Sequence, residues 1–196
     1  GRDMRFAIIG PPQSGKSTLF SALTGQKRDP GHGAVEHLAS VAVPDARLDR
    51  CSKICSPERT IHATIEFVDV VGLKKGESGS TQFTTNFLSN VKTNDTLVQV
   101  VRLFANDAVP HPDGTIDFMR DISSFETEFI LSDLGVVETR IDRIKKQVMK
   151  TQDAQLKLEL PVLEKCHQFL ESEKPLREVE FTKEEMLILK TYQLLS

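Results

Sequence analysis

The chain has 196 residues, 39% hydrophobic and 27% charged, enough for one ordinary core or a core plus a smaller appended module, and this excludes a disordered chain. A formal charge of −3 argues against general binding to nucleic acid or membrane surfaces through a strongly basic face. Three cysteines, Cys51, Cys55 and Cys166, are too few for a disulfide framework; with no secretory signal and no apolar run near the ~20 residues of a membrane span, the sequence reads as cytoplasmic.

Taken in chain order, Met4 to Ile9 (MRFAII) is an apolar run meeting Gly10, which suits a central strand buried on both faces. Thr18 to Leu23 has helical spacing, so the opening unit is strand, loop, helix. Gly25 to Gly33 is a polar loop, and Leu38 to Val43 a second strand. Asp45 is expected to cap a helix through ARLDRCSKI. Ile65 to Val71 (IEFVDVV) is a further strand, Gly72 to Ser80 a loop, Gln82 to Val91 a helix, and Leu97 to Phe104 (LVQVVRLF) a buried strand. This alternation defines an α/β fold.

After Asn106 the periodicity changes. From about Asp121 to Lys150 apolar residues recur every three or four positions, and again from about Ala154 to Leu170. Two long helices with a short link at 151–153 are expected to pack as an antiparallel hairpin, the second kinked or started by Pro161. Thr182 with Glu185 forms a capping-box pattern ahead of the apolar run to Leu195. The expected layout is a core at 4–106, a helical hairpin at 107–178, and a helix returning to the core at 179–196.

Gly10-Pro11-Pro12-Gln13-Ser14-Gly15-Lys16-Ser17 fits the phosphate-loop pattern G-x-x-x-x-G-K-[ST] at every fixed position, directly after a strand and before a helix. Gly10 and Gly15 let the backbone curl so that the N–H groups from Gln13 and Ser14 on to Thr18 surround phosphate oxygens, with Pro12, which has no N–H, shaping the loop beside them. The Lys16 ammonium is expected to bridge β and γ oxygens, and the Ser17 hydroxyl to ligate Mg2+. Asp69 ends a buried strand, where an acid is costly unless paired, and is expected to hold Mg2+ through water or to bond Ser17. Asp69-Val70-Val71-Gly72 is the D-x-x-G pattern of switch-type nucleotide hydrolases, in which the Gly72 N–H meets the γ-phosphate; this order speaks against a small-molecule kinase.

With VPDARLD at 43–49, SPERT at 56–60, EFVDVVGL at 66–73, VVRLFAND at 100–107, LSDL at 131–134 and LEKC at 163–166, the sequence resembles the YchF branch of the Obg-like ATPases. The resemblance covers nearly the whole chain and implies a Ras-like P-loop core with a parallel-type sheet and a helical hairpin inserted after the fourth strand. It implies that a histidine, His111 here, assists hydrolysis by positioning water, since Leu73 stands where many GTPases carry a glutamine. ATP as substrate follows from the same resemblance, with GTP as the alternative. The family's first-switch threonine has no match, Ser40 being only a weak substitute, and the sequence stops at TYQLLS, ahead of the family's base-recognition segment and TGS domain, so the base preference is expected only by analogy.

The resemblance also implies association with ribosomes, for which Arg143, Lys145, Lys146 and Lys150 offer a basic cluster able to contact RNA. Without the family's remaining strands, Leu97 to Phe104 is expected to form an apolar sheet edge that self-associates or is covered by Thr182 to Leu195. Cys51 and Cys55, at i and i+4 with no further soft ligands nearby, are expected to be half-buried free thiols. The function expected is a slow, Mg2+-dependent nucleoside triphosphatase acting as a translation-associated switch; the alternative is a nucleotide-binding regulatory or scaffold module with little hydrolysis.

Overall fold

The structure, a computed structural model, describes residues 4–26, 37–70, 83–149 and 153–196. The chain divides into two compact units, 1–121 and 122–196.

The first unit is built on a four-stranded sheet of order β2-β3-β1-β4. Its strands are β1 (Met4–Ile9), β2 (His37–Ala42), β3 (Thr64–Asp69) and β4 (Thr96–Gln99), with helices α1 (Lys16–Thr24), α2 (Ala46–Cys55) and α3 (Thr85–Lys92). Strand β1 is central because its apolar run can be buried on both faces; Ala7, Ile8 and Ile9 are at most 1% exposed. It pairs in parallel with β3 (Phe6 opposite Phe67) and with β4 (Ala7 opposite Leu97).

Strand β2 departs from the expected parallel-type sheet, running antiparallel to β3 with His37 opposite Asp69 and Ala42 opposite Thr64. Only Ala39 of β2 is buried, and an antiparallel outer strand with one open face tolerates that pattern. The fourth strand is shorter than the sequence suggests. Its ladder closes with the Val100 N–H donating to the Ile9 carbonyl at 2.8 Å, and residues 101–104 leave the sheet. As the sequence indicates, Asp45 caps α2, accepting from the Arg47 and Leu48 amides. The Arg47 side chain and amide hold the Asp45 carboxyl below its ordinary range. Yet α2 has no buried residue, so Cys51 and Cys55 are exposed, not half-buried as expected.

The second unit contains most of α4 (Phe118–Val148), α5 (Ala154–Glu171), a 3-10 turn at Leu176–Glu178 and α6 (Lys183–Leu189). Helices α4 and α5 run antiparallel, since Glu138 meets His167 while Lys145, further along α4, meets Glu164, earlier in α5. The seam buries Val137, Ile141, Ile144, Val162, Leu163 and Cys166. Helix α5 starts at Ala154 under an Asp153 cap and continues through Pro161, so the proline does not begin it. Thr182 and Glu185 form the capping box of α6. Leu189 of that helix joins the α4–α5 core, and Asp133, fully buried, accepts from the Leu195 and Ser196 amides.

Candidate phosphate-binding site

The loop between β1 and α1 takes its shape from three left-handed residues, Gly10 (φ 148°), Gln13 (φ 60°) and Gly15 (φ 102°). Gly10 is required twice over, because a Cβ there would also lie 2.2 Å from the Val100 carbonyl oxygen. Gly15 stands at the N-cap of α1, which has neither a side-chain cap nor an acid in its first turn. An N-terminus so arranged presents its positive dipole end to an anion. Gln13, Gly15, Lys16, Ser17 and Thr18 line a cavity of about 330 Å³ together with Arg102, Phe104, Asn106 and Val109. Gly10, Pro12 and Ser14 shape the loop from outside that lining; Ser14 is buried and its hydroxyl has no hydrogen-bond partner.

Lys16 is buried, and its ammonium donates to the carbonyls of Gly10 at 2.9 Å and Pro11 at 2.7 Å. The Ser17 hydroxyl donates to Asp69 Oδ2 at 3.2 Å. The sheet explains this approach: β3 lies beside β1 in parallel, so the last residue of β3 stands next to the loop that follows β1. Asp69 is 1% exposed. A hydroxyl and a carboxylate are both hard oxygen donors, a set that suits Mg2+. Ser40 is three residues along β2 from His37, the partner of Asp69, which puts it about 10 Å from the end of β3 where Asp69 stands. It cannot complete a coordination shell at Ser17 and Asp69. Gly72 and Leu73 lie outside the described residues, as do most of the loops expected at 25–33 and 72–80, and Lys150 of the basic cluster.

His111 does not line the phosphate cavity. Its side chain is 4% exposed and its Nε2 lies 3.4 Å from Oδ2 of Asp121, which is equally buried. The Asp113 amide donates to His111 Nδ1 at 3.1 Å, which assigns the ring proton of the neutral histidine to Nε2, facing Asp121. Arg120 completes the group, donating to Asp121 Oδ1. His111, Asp113 and Asp121 bring three donor atoms within 4.8 Å of one another, the spacing of a metal site. The Asp113 amide on Nδ1 and the Arg120 guanidinium on Asp121 already engage two of these groups, so they form a hydrogen-bonded network.

Sequence reasoning missed part of the cavity lining. Arg102, Phe104 and Asn106 sit in VVRLFAND, which reads locally as the end of an apolar strand; the one signal was a permanently charged arginine within that run.

These features define a P-loop domain of Ras-like α/β architecture. A family model described as a 50S ribosome-binding GTPase matches residues 5–131, and the chain belongs to that family. It is 37% identical over 199 residues to the ribosome-binding ATPase YchF of Bacillus subtilis, with 96% of this chain and 52% of that protein aligned. Identity to the Haemophilus influenzae protein of the same name is 39%, covering 96% and 53%. Against Obg-like ATPase 1 of Oryza sativa subsp. indica it is 32%, covering 98% and 50%. The solved structure of the Schizosaccharomyces pombe YchF GTPase matches with a TM-score of 0.80 at 30% identity, over 99% of this chain and 54% of that one. The chain thus spans about half the length of the curated relatives it matches.

Proposed function

We propose that this chain binds a purine nucleoside triphosphate at residues 10–18 and hydrolyses it slowly with Mg2+, as a cytoplasmic, translation-associated switch. ATP is favoured over GTP by similarity to the ATPases above. The observation that carries this reading is the uncapped start of α1 standing behind a left-handed loop, with Ser17 and Asp69 at 3.2 Å.

In this reading the loop amides and the α1 N-terminus hold the β-phosphate, and Lys16 exchanges its two loop carbonyls for β and γ oxygens. Bound Mg2+ would neutralise charge on the β and γ oxygens, with Ser17 as its direct ligand and Asp69 behind it. Gly72 is proposed to donate its amide to the γ-phosphate. His111 is proposed to position water, which requires its ring to leave Asp113 and Asp121. The basic residues Arg143, Lys145 and Lys146 of α4, with Lys150, are proposed to meet ribosomal RNA, and β4, an outer strand, to support self-association. Among the described residues no helix is long and apolar enough to cross a membrane.

A second reading, a binding module with little turnover, is favoured by the double engagement of His111 and by the distance of Ser40 from Asp69. Phosphate release from ATP and from GTP, measured with Mg2+ on the wild type and on Lys16→Ala, separates the two. Release that vanishes in the variant supports the enzyme; tight binding without release supports the module. Absence of binding by either nucleotide sinks both.

A further inference from the structure

Arg102 is 2% exposed and is among the largest fully buried side chains of the protein. It follows the close of the β1–β4 ladder by two residues, beside the point where the Val100 carbonyl crowds Gly10. Its Nε donates to the Phe104 carbonyl at 3.0 Å and its Nη2 to the Asn106 carbonyl at 3.4 Å, with the guanidinium 5.0 Å from the Phe104 ring centroid. Nη1 is buried with no hydrogen-bond partner. Among the described residues its partners are thus two main-chain carbonyls and a ring, with no carboxylate.

A guanidinium cannot shed its proton as a lysine can, so a buried one without an anion is costly. Carbonyl dipoles offset part of that cost, but they leave the net charge in place. The same side chain lines the cavity that Gly15, Lys16 and Ser17 also line. That cavity thus combines the anion-binding loop with a guanidinium that has no carboxylate partner among the described residues. We propose that Arg102 is a further polyphosphate-binding residue, its charge answered by the phosphates of a bound nucleotide, with Nη1 the donor left unpaired among the described residues. The proposal rests on the nucleotide-binding reading above and adds a second fixed charge, in the same cavity as Lys16, that the phosphate-loop motif does not contain.

The competing role is purely local: Arg102 staples residues 102–106 into the cavity wall. The two roles differ in how affinity depends on phosphate number. Calorimetry of adenosine, AMP, ADP and ATP against wild type, Arg102→Lys and Arg102→Met reads that dependence. Arg102→Met is expected to weaken ATP by about tenfold or more, the size of a lost charge-assisted hydrogen bond, while adenosine changes by less than about twofold. Arg102→Lys, which keeps the charge, is expected to recover most of the ATP affinity. Equal weakening of adenosine and ATP, or an ATP affinity in Arg102→Met within about twofold of wild type, would overturn the proposal. If Arg102→Met does not fold, the wild type decides: the side-chain 1H–15N signal of Arg102 should shift on adding inorganic tripolyphosphate, and an unmoved signal at saturation overturns it. Wild type that binds no triphosphate sinks this proposal and the nucleotide-binding reading together; binding without an Arg102 effect sinks this one alone.

Discussion

The Ser17 hydroxyl donates to Asp69 across 3.2 Å, joining the first turn of α1 to the last residue of β3, 52 positions later in the chain. Replacing Asp69 by Asn keeps the size and loses the charge. Asp69→Asn and Ser17→Ala are each expected to abolish the tightening of ATP binding by Mg2+ while leaving binding in chelator largely intact. Lys16→Ala is expected to weaken binding in both conditions by about tenfold or more. Calorimetry with Mg2+ and with chelator checks this; Ser17→Ala that still responds fully to Mg2+ removes the metal role given to that hydroxyl.

The two glycines of the loop are expected to fail differently. In Gly10→Ala the new Cβ would lie 2.2 Å from a main-chain oxygen as well as in a left-handed conformation, so the β1–β4 pairing must give way. In Gly15→Ala nothing lies within 4 Å, and only backbone strain is added. Urea unfolding should show a loss of about 1–2 kcal/mol for Gly15→Ala and a clearly larger one for Gly10→Ala. Equal losses would contradict the steric account.

His111 and Asp121 form a buried pair at 3.4 Å. Asp121→Ala removes the carboxylate beside the His111 ring and the acceptor of the Arg120 guanidinium, and is expected to destabilise the protein by about 1–3 kcal/mol. Because His111→Ala removes the same contact, the double variant should lose less than the sum of the single changes, a coupling visible in a double-mutant cycle. Additive losses would show that the two side chains act independently.

Cys166 is buried, and desolvation pushes its thiol up to about 11 from 9.0. The folded chain therefore keeps this proton where the unfolded chain loses it. The stabilisation is complete below about pH 9 and is lost as pH rises towards 11. A thiol reagent at pH 8 is expected to modify Cys51 and Cys55 in the native protein and Cys166 only after unfolding. Native labelling of Cys166 at the rate of the other two would contradict its burial.

What the sequence by itself determined is what a few neighbouring residues can encode. The phosphate loop, the Asp45 cap and the Thr182 capping box depend on hydrogen bonds or backbone angles among near neighbours, so spacing alone reveals them. The apolar run of β1 and the periodicity of α4 and α5 were likewise legible, because burial on two faces or on one stripe leaves a repeating mark. Only the tertiary structure decided that β2 is an antiparallel outer strand and that α2 lies open to solvent, with its cysteines exposed. It alone turned His111 toward Asp121 and placed Arg102 in the cavity that Lys16 lines. Those outcomes depend on which faces meet across the sheet and across loops ten or more residues long, and a contact between residues so far apart leaves no periodic trace in either of them.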